Sequence, residues 1–272
     1  MKRTARAAVL AAASLALVSM APVVSAAPAS ASTPATEVRQ SAPAFKVTAS
    51  INRTEVVAEE DSVRITGRVR PRAVGQKVVL QQRKDGTARW VRTGTARAKP
   101  SGRFVLTDDP STAGTRFYRV LKPAADGVRT GTSRELRLDV WGWELLTWRS
   151  VGANSGVNIG WSTSFGSVAY DASLVQRTAG TAGYVEYTLG KKCRSLRAAY
   201  ALTDDSTTGA SGWTTLSVDG TPVVTHALTT GSLAANQVVD VTNVFRIRFD
   251  LSSTALPAGR AAVGMPEVLC LP

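Results

Sequence analysis

Gly183-Tyr184-Val185-Glu186-Tyr187-Thr188-Leu189 opens the stretch that decides the fold, and it continues through Leu196-Arg197-Ala198-Ala199-Tyr200-Ala201-Leu202. An acidic break, Thr203-Asp204-Asp205, follows, then Trp213-Thr214-Thr215-Leu216-Ser217-Val218-Asp219-Gly220, then Val238–Val241 and Val244–Leu251. Each run is short, rich in β-branched or aromatic residues, and bounded by Gly, Asp, Ser or Pro, the pattern of antiparallel strands. Asp219-Gly220 between two such runs marks a tight hairpin, because the turn requires positive φ where glycine carries no Cβ penalty. No segment beyond the leader shows a sustained 3.6-residue period, so the sequence predicts an all-β protein.

Outward from this stretch the same signals recur. Upstream, strands are expected at Phe45–Ile51, Ser62–Arg70, Gln76–Arg83, Trp90–Ala96, Gly102–Thr107, Thr115–Leu121 and Leu136–Val140. In Ser62–Arg70, Val63, Ile65 and Val69 share one face and polar residues the other, the mark of a half-buried strand. Seven short alternating strands predict an immunoglobulin-like sandwich over residues 45–140, without the antibody-type cysteine pair. Trp141-Gly142-Trp143-Glu144-Leu145-Leu146-Thr147-Trp148 opens a second domain, 141–272, and these tryptophans are expected in its core or at the junction. Gly152–Gly166, polar and rich in Gly, Ser and Asn, is expected as loop with short strands. Met265–Cys270 is expected as a final edge strand.

The N-terminus carries Lys2, Arg3 and Arg6 before an apolar run, then small residues that place cleavage after Ala26 or Ala31. This is the pattern of a secretory signal peptide over 1–31, followed by a flexible Ala/Ser/Pro/Thr-rich linker, 32–44. No second apolar run is long enough for a membrane-spanning helix. An exported, extracellular protein is expected, in some settings held at the cell wall. In that oxidising compartment the two cysteines, Cys193 and Cys270, are expected to pair.

Charge is divided unevenly. Residues 40–140 hold 20 Lys or Arg against 10 Asp or Glu, whereas residues 141–272 hold nine of each. Any contact with an anionic wall polymer is therefore expected from the first domain, although scattered arginines also keep strand faces soluble and blunt edges.

The residues give little support to catalysis, and no enzymatic activity is expected. His226 is the sole histidine, and no Gly-x-Ser-x-Gly elbow accompanies it. The acidic pairs Asp108-Asp109 and Asp204-Asp205 fall at expected turns, where Asp is ordinary. With neighbouring hydroxyls and carbonyls, Asp204 and Asp205 could hold a structural Ca²⁺, though the loop lacks EF-hand spacing. Exposed tryptophan can stack on the apolar face of a sugar. The candidate ligand residues are Trp161, Trp213, Asp204, Asp205, Asn154 and Asn158.

Two resemblances extend these expectations. Gly67-Arg68-Val69-Arg70-Pro71, Val78-Val79-Leu80-Gln81-Gln82-Arg83, Trp90-Val91, Gly102-Arg103-Phe104 and Gly114–Val120 resemble the Ig-like modules of exported actinobacterial proteins, which implies spacing or adhesion rather than chemistry. From Glu144 to Cys270 the chain resembles the novel putative carbohydrate-binding module (NPCBM) family. The matching pieces, in order, are Leu145-Leu146-Thr147-Trp148, Gly183–Gly190, Leu196–Asp205, Gly212–Gly220, Val239-Asp240-Val241 and Phe245–Phe249. That resemblance implies a galactose-binding-like β-jelly roll and binding of carbohydrate, galactose-like or cell-wall polysaccharide. The chain departs from the family at Leu174–Gly180 and Arg260–Met265, where ligand loops could lie. Without a sugar site, the protein would instead serve as a structural or adhesive surface protein.

Overall fold

The structure is a computed structural model and describes residues 42–272; the expected signal peptide and all but the end of the linker lie outside the described residues. The described residues form nineteen strands and one 3-10 turn, and no longer helix occurs among them. The chain forms two β-sandwiches, each closed over its own apolar core.

The first sandwich contains β1 (Lys46–Ile51), β2 (Glu55–Val57), β3 (Val63–Arg70), β4 (Lys77–Lys84), β5 (Val91–Arg97), β6 (Arg103–Asp108), β7 (Gly114–Lys122), β8 (Gly131–Thr132) and β9 (Leu136–Leu145). One sheet runs β1-β3-β6 and the other β5-β4-β7-β9, with β2 parallel to β9. This order is that of an immunoglobulin-type sandwich. Alternation places Val47, Ile65, Leu80, Phe104, Val120 and Leu138 in the core. Tyr118, fully buried on β7, satisfies its hydroxyl by donating to Asp108 Oδ2 at 2.5 Å, and Thr93 donates to the other oxygen of the same carboxylate. Burial, reinforced by that carboxylate, pushes the Tyr118 phenol well above its ordinary value.

The second sandwich contains β10 (Val151–Ser155), β11 (Val157–Phe165), β12 (Val168–Gln176), β13 (Gly183–Thr188), β14 (Cys193–Leu202), β15 (Ser211–Val218), β16 (Thr221–Thr229), β17 (Leu233–Asp240), β18 (Arg246–Ser253) and β19 (Ala261–Cys270). A five-stranded sheet, β10-β13-β18-β15-β16, packs on one built from β11, β12, β19, β14 and β17. Tyr187, Leu216, Ile247 and Phe249 from the first sheet meet Leu174, Leu196, Tyr200 and Val263 from the second. Asp219 (φ 46°) and Gly220 (φ 86°) form the two-residue turn between β15 and β16, as their identity predicts. Cys193 and Cys270 are disulfide-bonded where β14 and β19 lie side by side.

Several expectations need correction. Met265–Cys270 is no edge: β19 runs through the middle of its sheet, between β14 and the pair β12 and β9. Its sequence, Ala261–Cys270, is buried on both faces for most of its length, which only a central position allows. Gly152–Gly166, expected as loop with short strands, is nearly all strand and makes up most of β10 and β11, because pairing with β13 and β12 overrides the weak propensity of Gly, Ser and Asn. Of the clustered tryptophans, Trp141 and Trp143 are half-buried at the junction, but Trp148 is 78% exposed. It ends the short turn Leu146–Trp148, whose inward position is taken by Leu146.

No linker separates the sandwiches. β9 pairs with β7 through Tyr118↔Leu136 to Gly114↔Val140, then with β19 through Cys270↔Gly142 to Glu267↔Leu145. The boundary expected between Val140 and Trp141 thus falls inside one strand, and a sheet continues from one sandwich into the other.

Candidate functional site

The outer face of the five-stranded sheet presents a chemically organised surface. Along β15, Thr214 and Leu216 point into the core, so Trp213 and Thr215 point outward. Trp213 is 51% exposed. It stands beside Ser252 of β18 and Ala227 of β16. One register step away, Tyr184, Asp250, Thr215 and Thr225 cross four strands as a polar row. Thr215 and Thr225 share a hydrogen bond at 3.0 Å. In the next row Glu186 faces Arg248. The Arg248 guanidinium donates to Asp250 Oδ1 at 2.7 Å, lies 3.4 Å from Glu186, and stacks 3.9 Å over the Tyr184 ring. Hydrogen bonding to Asp250 raises the Arg248 pKa further. An aromatic ring next to fixed donors and acceptors can hold a pyranose by stacking and direct its hydroxyls.

Trp161 is also exposed, at 54%, but on β11, in the opposite sheet. The two tryptophans therefore do not form one platform. Asn158 lies on β11 as well, its side-chain oxygen 3.3 Å from Arg177 Nε. Asn154, on the edge strand β10, donates to the Gly152 carbonyl at 3.2 Å. It lies three strands from Trp213.

The acidic loop after β14 has a structural task. Asp204 accepts from the backbone N–H of Gly166 at 2.7 Å and of Ser167 at 2.8 Å. It thereby clamps the tip of the β11–β12 hairpin, whose Phe165 and Tyr170 cover Ala199, Ala201 and Ala262. Gly264 makes this packing feasible, since a Cβ there would stand 2.5 Å from the Phe165 ring. Asp205 accepts from Thr203 Oγ1 and lies 3.3 Å from Arg260 Nη1. For Ca²⁺, this leaves two neighbouring carboxylates already engaged by protein donors. Among the described residues no group of three or more His, Cys, Asp or Glu side chains could hold a metal.

His226 points inward from β16 and stacks on Tyr200, ring centroids 4.2 Å apart. Burial holds its pKa below the ordinary histidine value. Its Nε2, the Tyr200 hydroxyl and the Thr214 hydroxyl are buried without a hydrogen-bond partner among the described residues. Among the described residues no carboxylate orients the imidazole, as a catalytic relay would require.

A cleft of about 570 Å³ lies at the junction, bounded by Glu59, Glu60, Trp143, Lys192, Arg197 and Glu267 among others. Arg197 fills part of its wall by pairing with Glu267 at 2.7 Å and stacking 4.1 Å over Trp143. Sequence reasoning missed both this cleft and the Tyr184–Arg248–Asp250 network. The alternation of Arg246, Arg248 and Asp250 with Ile247, Phe249 and Leu251 carried the signal for the network; nothing local carried one for the cleft.

No family model matches the chain, and no curated protein matches it. Among solved structures, the secreted serine protease VesC from Vibrio cholerae is similar at 12% identity and a TM-score of 0.30. The likeness covers 81% of this chain and 50% of that one, so the chain spans about half the length of that protein.

Proposed function

We propose that the protein is an exported, non-catalytic glycan-binding protein whose second sandwich engages sugar on the outer face of its five-stranded sheet. The observation that carries this is Trp213, half-exposed on that face and bordered by Thr215, Asp250, Tyr184 and Arg248. In this reading Trp213 stacks on a pyranose and the polar row orients its hydroxyls. Extracellular or cell-wall polysaccharide is the ligand class, consistent with the N-terminal leader pattern and a disulfide. The NPCBM-like order of strands in the sequence supports the same assignment. The inward, unrelayed His226 supports a role without catalysis.

The test is a glycan array and wall-polysaccharide pull-down with the full chain, since β9 serves both sandwiches. Trp213→Ala should lower retention of the bound glycan by at least about fivefold, as loss of a stacked ring at the centre of a contact removes ~1 kcal/mol or more. Trp161→Ala, on the other sheet, should leave it within about twofold. Retention unchanged by Trp213→Ala would sink the proposal.

A further inference from the structure

The sheet β1-β3-β6 of the first sandwich has an outer face whose charged side chains are all basic. Its inward positions, Val47, Ala49, Ile65, Val69, Phe104 and Leu106, are core. Alternation therefore turns Lys46, Arg64, Arg68, Arg70 and Arg103 outward, interspersed with Thr48, Ser50, Thr66 and Thr107. No carboxylate occupies an outward position of these strands; Asp108, at the end of β6, is turned to Tyr118 and Thr93. Lys46 stands directly across from Arg70, and Arg68 directly across from Arg103. Among the described residues none of these five cations lies within ion-pair distance of an acidic group, while ten such pairs exist elsewhere.

Like charges placed opposite each other across strands destabilise a sheet. Here two such pairs adjoin, and nothing in the packing requires them. The Arg68–Arg103 pair also borders a hollow of about 650 Å³ floored by Gly67 and Phe104 and walled by Arg68, Arg103 and Lys99, with the Thr48, Ser50 and Thr66 hydroxyls along it. Arg68 Nε is fixed by the Ser101 carbonyl at 3.1 Å, which sets its guanidinium in place at the rim. Strand geometry spaces these cations by about 5 Å across the sheet and about 7 Å along it.

We propose that this hollow is a binding site for a polyanionic glycan, a polysaccharide carrying sulfate, phosphate or carboxylate groups. Guanidinium forks grip the oxyanions, and the hydroxyls between them meet sugar hydroxyls. Phe104, beneath the hollow, is buried in the core, so the face exposes no aromatic side chain on which a base could stack, which separates it from single-stranded nucleic-acid surfaces. The site is distinct from the Trp213 face and does not rest on sugar binding there.

The experiment measures binding of the full chain to sulfated, carboxylated and glycerol-phosphate-substituted oligosaccharides, with neutral dextran and duplex DNA alongside, across a salt series. At least one anionic glycan should bind and dextran should not. Arg68→Gln with Arg103→Gln should weaken that binding about tenfold or more and reduce the salt slope by roughly one to two. Lys84→Gln with Arg92→Gln, the same charge change on the opposite sheet, should stay within about twofold. Trp213→Ala should leave it unchanged, so failure here and failure of the Trp213 proposal are read separately. Equal loss in both double variants, duplex DNA bound as tightly as any glycan, or no anionic glycan bound would each overturn the proposal; unchanged thermal unfolding of the variants shows that they fold.

Discussion

Reduction of the Cys193–Cys270 disulfide should be the single most damaging covalent change to this protein. The bond closes a loop of 77 residues. On the chain-entropy model, a loop of that length removes enough freedom from the unfolded chain to stabilise the fold by about 4.5 kcal/mol. Its position adds a local effect. Cys270 is the last residue of β19 and sits opposite both Cys193 on β14 and Gly142 on β9. The cross-link therefore holds the end of β19 where it pairs with β9, the strand that carries the sheet from one sandwich to the other. Urea unfolding of the oxidised protein should be compared with the same protein in reductant and with Cys193→Ala/Cys270→Ala. At a denaturant slope of about 3 kcal/mol/M, the midpoint should fall by roughly 1.5 M in both cases. Reduced thiols keep their burial, so agreement between the two isolates the cross-link from the lost sulfur packing. Amide exchange under native conditions should rise first at residues 142–145 and 267–270. A midpoint within about 0.3 M of the oxidised protein would show that the unfolded chain gains nothing from its release.

Two further outcomes follow from single positions. Gly67→Ala would bring a Cβ to 2.0 Å from the Thr48 carbonyl oxygen and 2.4 Å from the Phe104 ring, so it should cost at least ~1–3 kcal/mol in thermal or urea unfolding and distort the hollow above it. His226, its pKa depressed by burial from 6.5, binds a proton more readily unfolded than folded, so its contribution is fully present above about pH 6.5 and is lost as pH falls through the folded value. Stability measured downward from pH 7.5 should decline in that window, and His226→Gln should flatten the decline; an unchanged slope would place the proton uptake elsewhere.

Much of the fold was legible because it is written in local alternation. Val63, Ile65 and Val69, or Ile247, Phe249 and Leu251, point one way because successive residues of a strand must, and the structure buries them. The Asp219-Gly220 turn and the disulfide were readable for equally local reasons, one conformational and one compositional. What stayed hidden depends on partners distant in sequence. Glu55–Val57 is a strand only because β9 lies parallel beside it, and no signal in three residues announces that. Val151–Ser155 is exposed at all five positions and has no apolar period to detect. Asp204 is a candidate ligand residue in the sequence because a carboxylate in a loop invites one. The amides of Gly166 and Ser167, which donate to it in the structure, are nearly forty residues earlier in the chain, where no local pattern points to them. The tryptophans show the same limit: exposure of Trp161 and Trp213 suits a sugar platform, but their placement on opposite sheets was beyond any local pattern.

The shared strand β9 has a consequence for avidity. Two modules joined by a flexible linker sample many separations, and a second contact is then governed by effective concentration. Here the chain passes from one sandwich into the other without leaving β structure, so the Trp213 face and the β1-β3-β6 face are carried on one stiff body. A polymer touching both must span a distance set by the protein rather than by thermal wandering. Its persistence and the spacing of its charged groups then decide whether the second contact forms.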